Sequence, residues 1–204
     1  MRIPHKSIFV VLALLAVTAG GAAARAEQRV LVLDPAASRV SFTLEATGHD
    51  VEGALAMKSG RIAFDPATGA ATGEIAVDLK SGQTGNGSRD KTMHKEVLED
   101  DKYPLAVFRA ERVRGQVAPE GISQIHLDGT LAFHGADHKM SLPAKVEVHG
   151  GRLTAETSFR VPFVEWGLHD PSIMILKVAK VVAVKVKAQG SLEGGSAVTG
   201  GGTK

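Results

Sequence analysis

Cysteine is missing from all 204 residues. Its absence excludes a disulfide framework, a lipidated N-terminal cysteine and thiolate metal sites, and leaves stability to an ordinary hydrophobic core. Aromatic residues are scarce, at 4% with one Trp and one Tyr, so any interior is built mainly from aliphatic and small side chains. No apolar run approaches the about 20 residues of a membrane-spanning helix; the longest, Ile8–Val17, has ten. An excess of one charge is missing too. Three of the 24 basic residues (Arg2, Lys6, Arg25) and none of the 22 acidic ones lie in the first 26 positions, so residues 27–204 carry a formal charge of −1. A near-neutral chain has no basic stripe for a nucleic acid.

What is present begins with an address. Arg2 and Lys6 precede the short apolar run, and Ala24-Arg25-Ala26 places small residues where a signal peptidase reads. Residues 1–26 are therefore expected to be a cleaved Sec-type signal peptide, and the protein an export product. The remaining 178 residues suffice for one domain with a substantial interior.

That domain reads as strands. Apolar residues alternate with polar ones in "RVSFTLEA", "DVEGALAMK", "RIAFD", "GEIAVDL", "ISQIHLDGTLAFHG", "HKMSLPAKVEVHG", "RLTAETSFRVPF" and "KVVAVKVKAQG". Period-two alternation over so many segments predicts half-buried antiparallel strands. Asp34-Pro35, Asp65-Pro66, Pro119-Glu120-Gly121 and Gly135-Ala136-Asp137 read as turns between them, and Gly150-Gly151 as a tight hairpin. The first strand, "RVLVLD", is short. One stretch loses the alternation: a glycine-rich loop leads into a predicted helix over 88–99, capped by Ser88 and closed by Pro104. A second irregular stretch spans 164–172, and the glycine-rich tail 190–204 is expected to be disordered. The pattern fits a barrel or a sandwich; long strands mixing small inward residues (Gly53, Ala144, Ala155) with large ones favour a barrel, which at about eight strands can hold one small ligand.

Motifs for chemistry are weak. His134, Asp137 and His138 flank a turn without a metal-binding spacing. His49-Asp50 and His169-Asp170 lack a marked nucleophile, and strand neighbours point to opposite faces. Gly85-Asn86-Gly87-Ser88 lacks the lysine of a phosphate loop. Lys180, Lys185 and Lys187 read as a solvated face. Arg89-Asp90 reads either as a helix-end charge pair or as a contact for a polar head group at a cavity mouth.

Together, "LDPAASRVSFT" (33–43), "HDVEG" (49–53), "GRIAFDP" (60–66), Arg89-Asp90 followed by Tyr103-Pro104 and Phe108, and "GTLAFHGADHKMSLP" (129–143) resemble the YceI-like family of exported lipid-binding proteins. The resemblance spans about 29–189. It implies an extended, lipocalin-like, eight-stranded antiparallel β-barrel with one helix between strands. It also implies an apolar tunnel for a long isoprenoid lipid, a polyisoprenoid or a ubiquinone-type tail, and no catalysis. The sequence departs from the more familiar family form in the helix. Met93-His94 and Val97-Leu98 stand where that form has a His-Leu pair soon after Arg-Asp and paired Phe before Tyr-Pro.

The expectation is thus an all-β domain over 27–189, a periplasmic carrier or store with an isoprenoid lipid as ligand and no cofactor, nucleic acid or membrane-inserted segment. Phe42, Leu44, Leu55, Phe108, Leu127, Phe133, Phe159 and Phe163 are expected to line the cavity, with Met93, His94 and Trp166 at its mouth. Exposed strand edges or the mouth offer a basis for a homodimer. Two other readings stand beside it: an exported stress-response or interaction module with a packed interior, and a metal-dependent or hydrolytic enzyme using His134, His138 or His169.

Overall fold

The computed structural model describes residues 28–173 and 177–194. The expected signal peptide and the end of the expected tail lie outside the described residues.

Eight antiparallel strands form one closed barrel in sequence order: β1 (Arg29–Leu44), β2 (Val51–Phe64), β3 (Ala71–Gln83), β4 (Leu105–Arg114), β5 (Gly121–Phe133), β6 (Ala136–His149), β7 (Arg152–Val161) and β8 (Val182–Glu193). β8 returns to pair with β1, from Val30↔Glu193 to Thr43↔Ala183. No helix of the described residues is long and apolar enough to cross a membrane.

Some expected breaks are not breaks. "RVLVLD" and "RVSFTLEA" belong to one strand, because Asp34-Pro35 sits in a bulge between Val32 and Val40 and not in a turn. Asp34 accepts the N–H groups of Ala36 and Ala37, and the Ser38 hydroxyl donates to the Asp34 carbonyl, so local side-chain bonds hold the excursion and the strand resumes. "DVEGALAMK" and "RIAFD" likewise merge into β2. The domain also continues past the expected limit of 189: Gly190 pairs with Leu33 and Leu153, and β8 ends at Glu193. Composition suggested disorder there, but a backbone ladder needs no apolar side chain. A Cβ on Gly190 would meet the Val32 carbonyl at 2.1 Å, so glycine is what lets the strands close at this point.

Two hairpins are two-residue turns with both central residues in the left-handed region, Gly150-Gly151 as expected and His134-Gly135, one position earlier than the glycine pattern suggested. Pro143 lacks a donor, and β6 pairs with β7 only from Ala144↔Thr157 onward. The mouthward half of β6 is covered instead by the irregular segment after β7, where Trp166 stacks on His138 at 3.8 Å.

Inside, one end is packed. Phe64, Val113, Ile125, Val146, Val148 and Leu153 form a buried base, with Val148 only 1% exposed. At the other end Val161, Phe163 and Leu168 pack against Phe133, Trp166 and Val182. On the outer wall Asp128 accepts bonds from Arg114 Nε (2.6 Å) and Nη2 (2.9 Å), which also donates to Ser141 Oγ. The Arg114 hydrogen bond, aided by Ser141, holds the Asp128 carboxyl down from 3.8 to about 2.

Two stability measurements follow. Phe64→Ala in the base is expected to lower unfolding free energy by about 3–5 kcal/mol, whereas Leu55→Ala, facing the lumen, loses under about 1 kcal/mol because it opens no new cavity; urea unfolding of both distinguishes a packed base from an open interior. Because the Asp128 pKa is depressed on folding, its contribution is present above about pH 4 and lost as pH falls toward 2. The stability gap between wild type and Asp128→Asn therefore shrinks across that window, read from urea midpoints at each pH.

Candidate functional site

Alternation on all eight strands sends one set of side chains inward, and they enclose a cavity of about 860 Å³. Its wall is aliphatic and aromatic: Leu33 and Phe42 from β1, Leu55 and Met57 from β2, Ile75 and Val77 from β3, Leu127 and Leu131 from β5, Val184 and Val186 from β8. The cavity starts above the packed base and opens between three segments: the β1–β2 loop (Thr47, His49), the helix after β3, and the segment after β7 (His169, Ser172, Ile173). Most polar side chains on the lining gather at this mouth, and the depth is apolar except for Thr157 of β7, whose hydroxyl is buried without a hydrogen-bond partner.

The helix that borders the mouth is built in two parts. α1 (Gly87–Thr92) passes without a break into a π-helical turn, Met93–Leu98. Asn86 caps it, not Ser88: its side-chain oxygen accepts the N–H groups of Ser88 and Arg89 at 3.1 Å. The helix thus starts one residue earlier than the expected 88. Arg89 and Asp90 do not form the anticipated charge pair. Both converge on Thr84, whose hydroxyl and N–H donate to the Asp90 carboxylate, while Arg89 donates to the Thr84 hydroxyl and carbonyl. That Thr84 hydroxyl bond comes first among the causes that keep the Asp90 carboxyl below the ordinary carboxylate range. The pair therefore ties the strand-to-helix loop, and Arg89 still borders the cavity.

Of the eleven expected site residues, Phe42, Leu44, Leu55, Met93, Phe108, Leu127, Phe133, Phe159 and Phe163 lie on the cavity lining. His94 and Trp166 do not, and each has a structural task. His94 Nδ1 lies 2.5 Å from Asp100 Oδ2 and Nε2 lies 2.9 Å from the Gly82 carbonyl, so both ring nitrogens are engaged in docking the helix onto the end of β3. Trp166 lies under His138 and edge-on to Phe133, outside the lumen, because its segment covers the unpaired half of β6. The residues that sequence reasoning missed divide in two. Val40, Val184 and Val186 carried the same alternation as Phe42 and were open to detection. Thr47, Glu96 and Ser172 at the mouth carried no signal, since only the fold brings their loops together.

His134 and His138, which flank the β5–β6 turn, are both engaged: the His134 side chain is 11% exposed, with its ring 4.5 Å from Tyr103 and Nε2 2.9 Å from Glu99, and His138 lies in the Trp166 stack. No group of three potential metal ligands occurs among the described residues.

A YceI-like domain matches residues 31–190, most of the chain. The chain belongs to the YceI-like family. No curated protein matches it. Among solved structures, this YceI-like chain is similar to BcnA of Burkholderia cenocepacia, with a TM-score of 0.62 and 22% identity over 77% of this chain and 98% of that one. It is also similar to a polyisoprenoid-binding domain from Saccharophagus degradans implicated in plant cell wall breakdown (TM-score 0.62, 15% identity, 80% and 98% covered). The YceI protein of Campylobacter jejuni has a TM-score of 0.51 at 14% identity, with 74% and 85% covered. At these identities the likeness is one of fold.

The His94 contacts make a prediction for this YceI-like barrel. Losing a partly buried group that holds two hydrogen bonds costs about 1–3 kcal/mol locally, so His94→Ala should raise amide exchange across Gly87–Leu98 by about tenfold or more. Exchange of the β5–β6 ladder should be unchanged, and mass spectrometry of the deuterated peptides reads both.

Proposed function

We propose that this YceI-like protein binds a long isoprenoid lipid, of polyisoprenoid or ubiquinone type, within the barrel, and carries or stores it in the periplasm after export. The observation that carries this reading is the apolar lumen of about 860 Å³ above a packed base, with every charged side chain of its lining at one mouth and Thr157 the polar side chain below it. At roughly 24 cal/mol per Å³ a dry cavity of that size would cost about 20 kcal/mol, more than the roughly 5–15 kcal/mol by which a domain is stable. Such an interior is made to be filled, and its lining suits hydrocarbon better than water.

The energetics suit a lipid tail. Each buried CH₂ gains about 0.8 kcal/mol on leaving water, and even at the low yield of about 0.3 kcal/mol per atom a tail of roughly 40 carbons reaches sub-micromolar affinity. A tail needs no charged partner, which accords with a lumen whose Arg89 and Glu96 stand only at the rim. The family membership and the fold shared with a polyisoprenoid-binding domain support the same ligand class. The reading assigns no catalytic residue. The alternative of a packed interior acting through its surface draws no support from this cavity.

Native mass spectrometry of protein purified without detergent, followed by organic extraction, is expected to show a discrete adduct of isoprenoid mass. A persistently unliganded mass after incubation with polyprenyl quinones contradicts the proposal. Phe133→Asp and Leu55→Glu, both placing a carboxylate on the lining, are each expected to abolish loading while far-UV circular dichroism keeps the β signature; a folded variant that loads normally excludes that wall from the site.

A further inference from the structure

Four glycines each lie under a large side chain that borders the lumen. An ideal Cβ would stand 2.2 Å from Cζ of Phe42 at Gly53, 2.6 Å from Cδ1 of Leu33 at Gly60, 2.9 Å from Cε of Met93 at Gly82, and 2.6 Å from Cζ of Phe108 at Gly129. Heavy atoms do not approach so closely, so each of these side chains rests on wall surface that only a glycine leaves bare. The four are not equivalent. At Gly129 the Arg109 carbonyl would lie at 2.2 Å, so a side chain there collides with the sheet itself. At Gly82 the Leu79 carbonyl lies within 3.2 Å, and at Gly60 the Leu33 Cβ within 2.9 Å.

Gly53 differs. Its three nearest atoms are all ring atoms of Phe42, at 2.2, 2.6 and 2.8 Å. It pairs directly with Phe42 across β1 and β2, and its φ is not in the left-handed region. The backbone therefore does not require glycine at 53; the ring does. Phe42 follows Leu44 inward from the mouth along β1, ahead of Val40 and Leu33, and the lining near the base (Met57, Ile62, Ile125) lies beyond it.

We infer that Gly53 sets the bore of the tunnel by letting Phe42 lie flat on the wall, and so decides whether a long chain can pass to the deep half of the barrel. Any side chain at 53 lifts the ring toward the barrel axis. The mouthward half stays open to short ligands and the deep half closes. Gly53 and Phe42 act as a pair, specifying chain length without touching a head group. The inference rests on the lipid-holding reading for its consequence, but not for its geometry.

The test uses Gly53→Ala and the double variant Gly53→Ala/Phe42→Leu. Fluorescent probes carry a short alkyl chain of about 10 carbons or a polyprenyl chain of about 40 carbons. Gly53→Ala is expected to bind the long probe about tenfold or more weakly than wild type and the short probe within about twofold. The double variant, with the ring removed, recovers the long probe. Equal binding of both probes by Gly53→Ala and wild type overturns the inference, as does an equal loss of both that Phe42→Leu does not rescue. A crystal structure of ligand-free Gly53→Ala reads the geometry alone: a Phe42 ring lifted off β2 supports the inference, and an unmoved ring with β2 displaced outward overturns it. If wild type takes up neither probe, the lipid reading fails, and the crystal structure still decides the role of Gly53.

Discussion

Pairing of the last strand with the first is the interaction on which the rest of the molecule depends. From Val30↔Glu193 to Thr43↔Ala183, β8 and β1 close a sheet that would otherwise carry two open edges. Closure turns eight inward faces toward one axis, and a barrel of this strand number has a bore near the width that its own side chains can fill. Whether it is filled then depends on where the large side chains lie. Near the base they meet across the axis, as Phe64, Val148 and Leu153 do. Higher up, Phe42 and Phe108 rest on glycines in the wall, and the axis stays open. Closure also removes most of the strand-edge basis for a homodimer, and the stretch of β6 that stays unpaired toward β7 is covered by the Trp166 segment.

The mouth is organised differently. Its segments share an apolar cluster, Phe163 and Leu168 with Trp166 and with Val97 and Leu98 of the helix, and directed bonds fix the rest of the rim. Thr84 is shared by Arg89 and Asp90, His94 bridges Asp100 and the Gly82 carbonyl, and the Thr47 N–H donates to the Lys177 carbonyl where the chain segments beyond the β1–β8 ladder stay paired. A rigid wall with a hydrogen-bonded rim suits a container that has to admit its contents at one end.

The fold was largely legible in the sequence because its signal is local and repeated. Alternation marks a strand wherever it occurs, and Gly150-Gly151 marks a hairpin from backbone conformation alone. The apolar wall was legible for the same reason: Phe42, Leu55 and Leu127 stand on the face that alternation designates. What failed did so for reasons that involve distant partners. Asp34-Pro35 has turn chemistry but lies within β1 because β2 and β8 hold the chain on either side of it. His94 and Trp166 stand at plausible positions for a mouth, yet His94 is turned onto the Gly82 carbonyl at the end of β3 and Trp166 covers β6 where Pro143 interrupts pairing, contacts that neither residue's own pattern displays.

The sequence by itself determined the class of the molecule: a cysteine-free, near-neutral β-domain with one alternating apolar face per strand and a single helical interruption. These are statements about what each segment prefers, and periodicity and composition suffice for them. Only the tertiary structure decided that the interior is a lumen and where it opens. An apolar residue in an alternating strand has the same pattern whether it meets another side chain across the axis or lies flat against a glycine on the neighbouring strand. That difference is one of distance between chain-remote atoms, as between the Phe42 ring and Gly53.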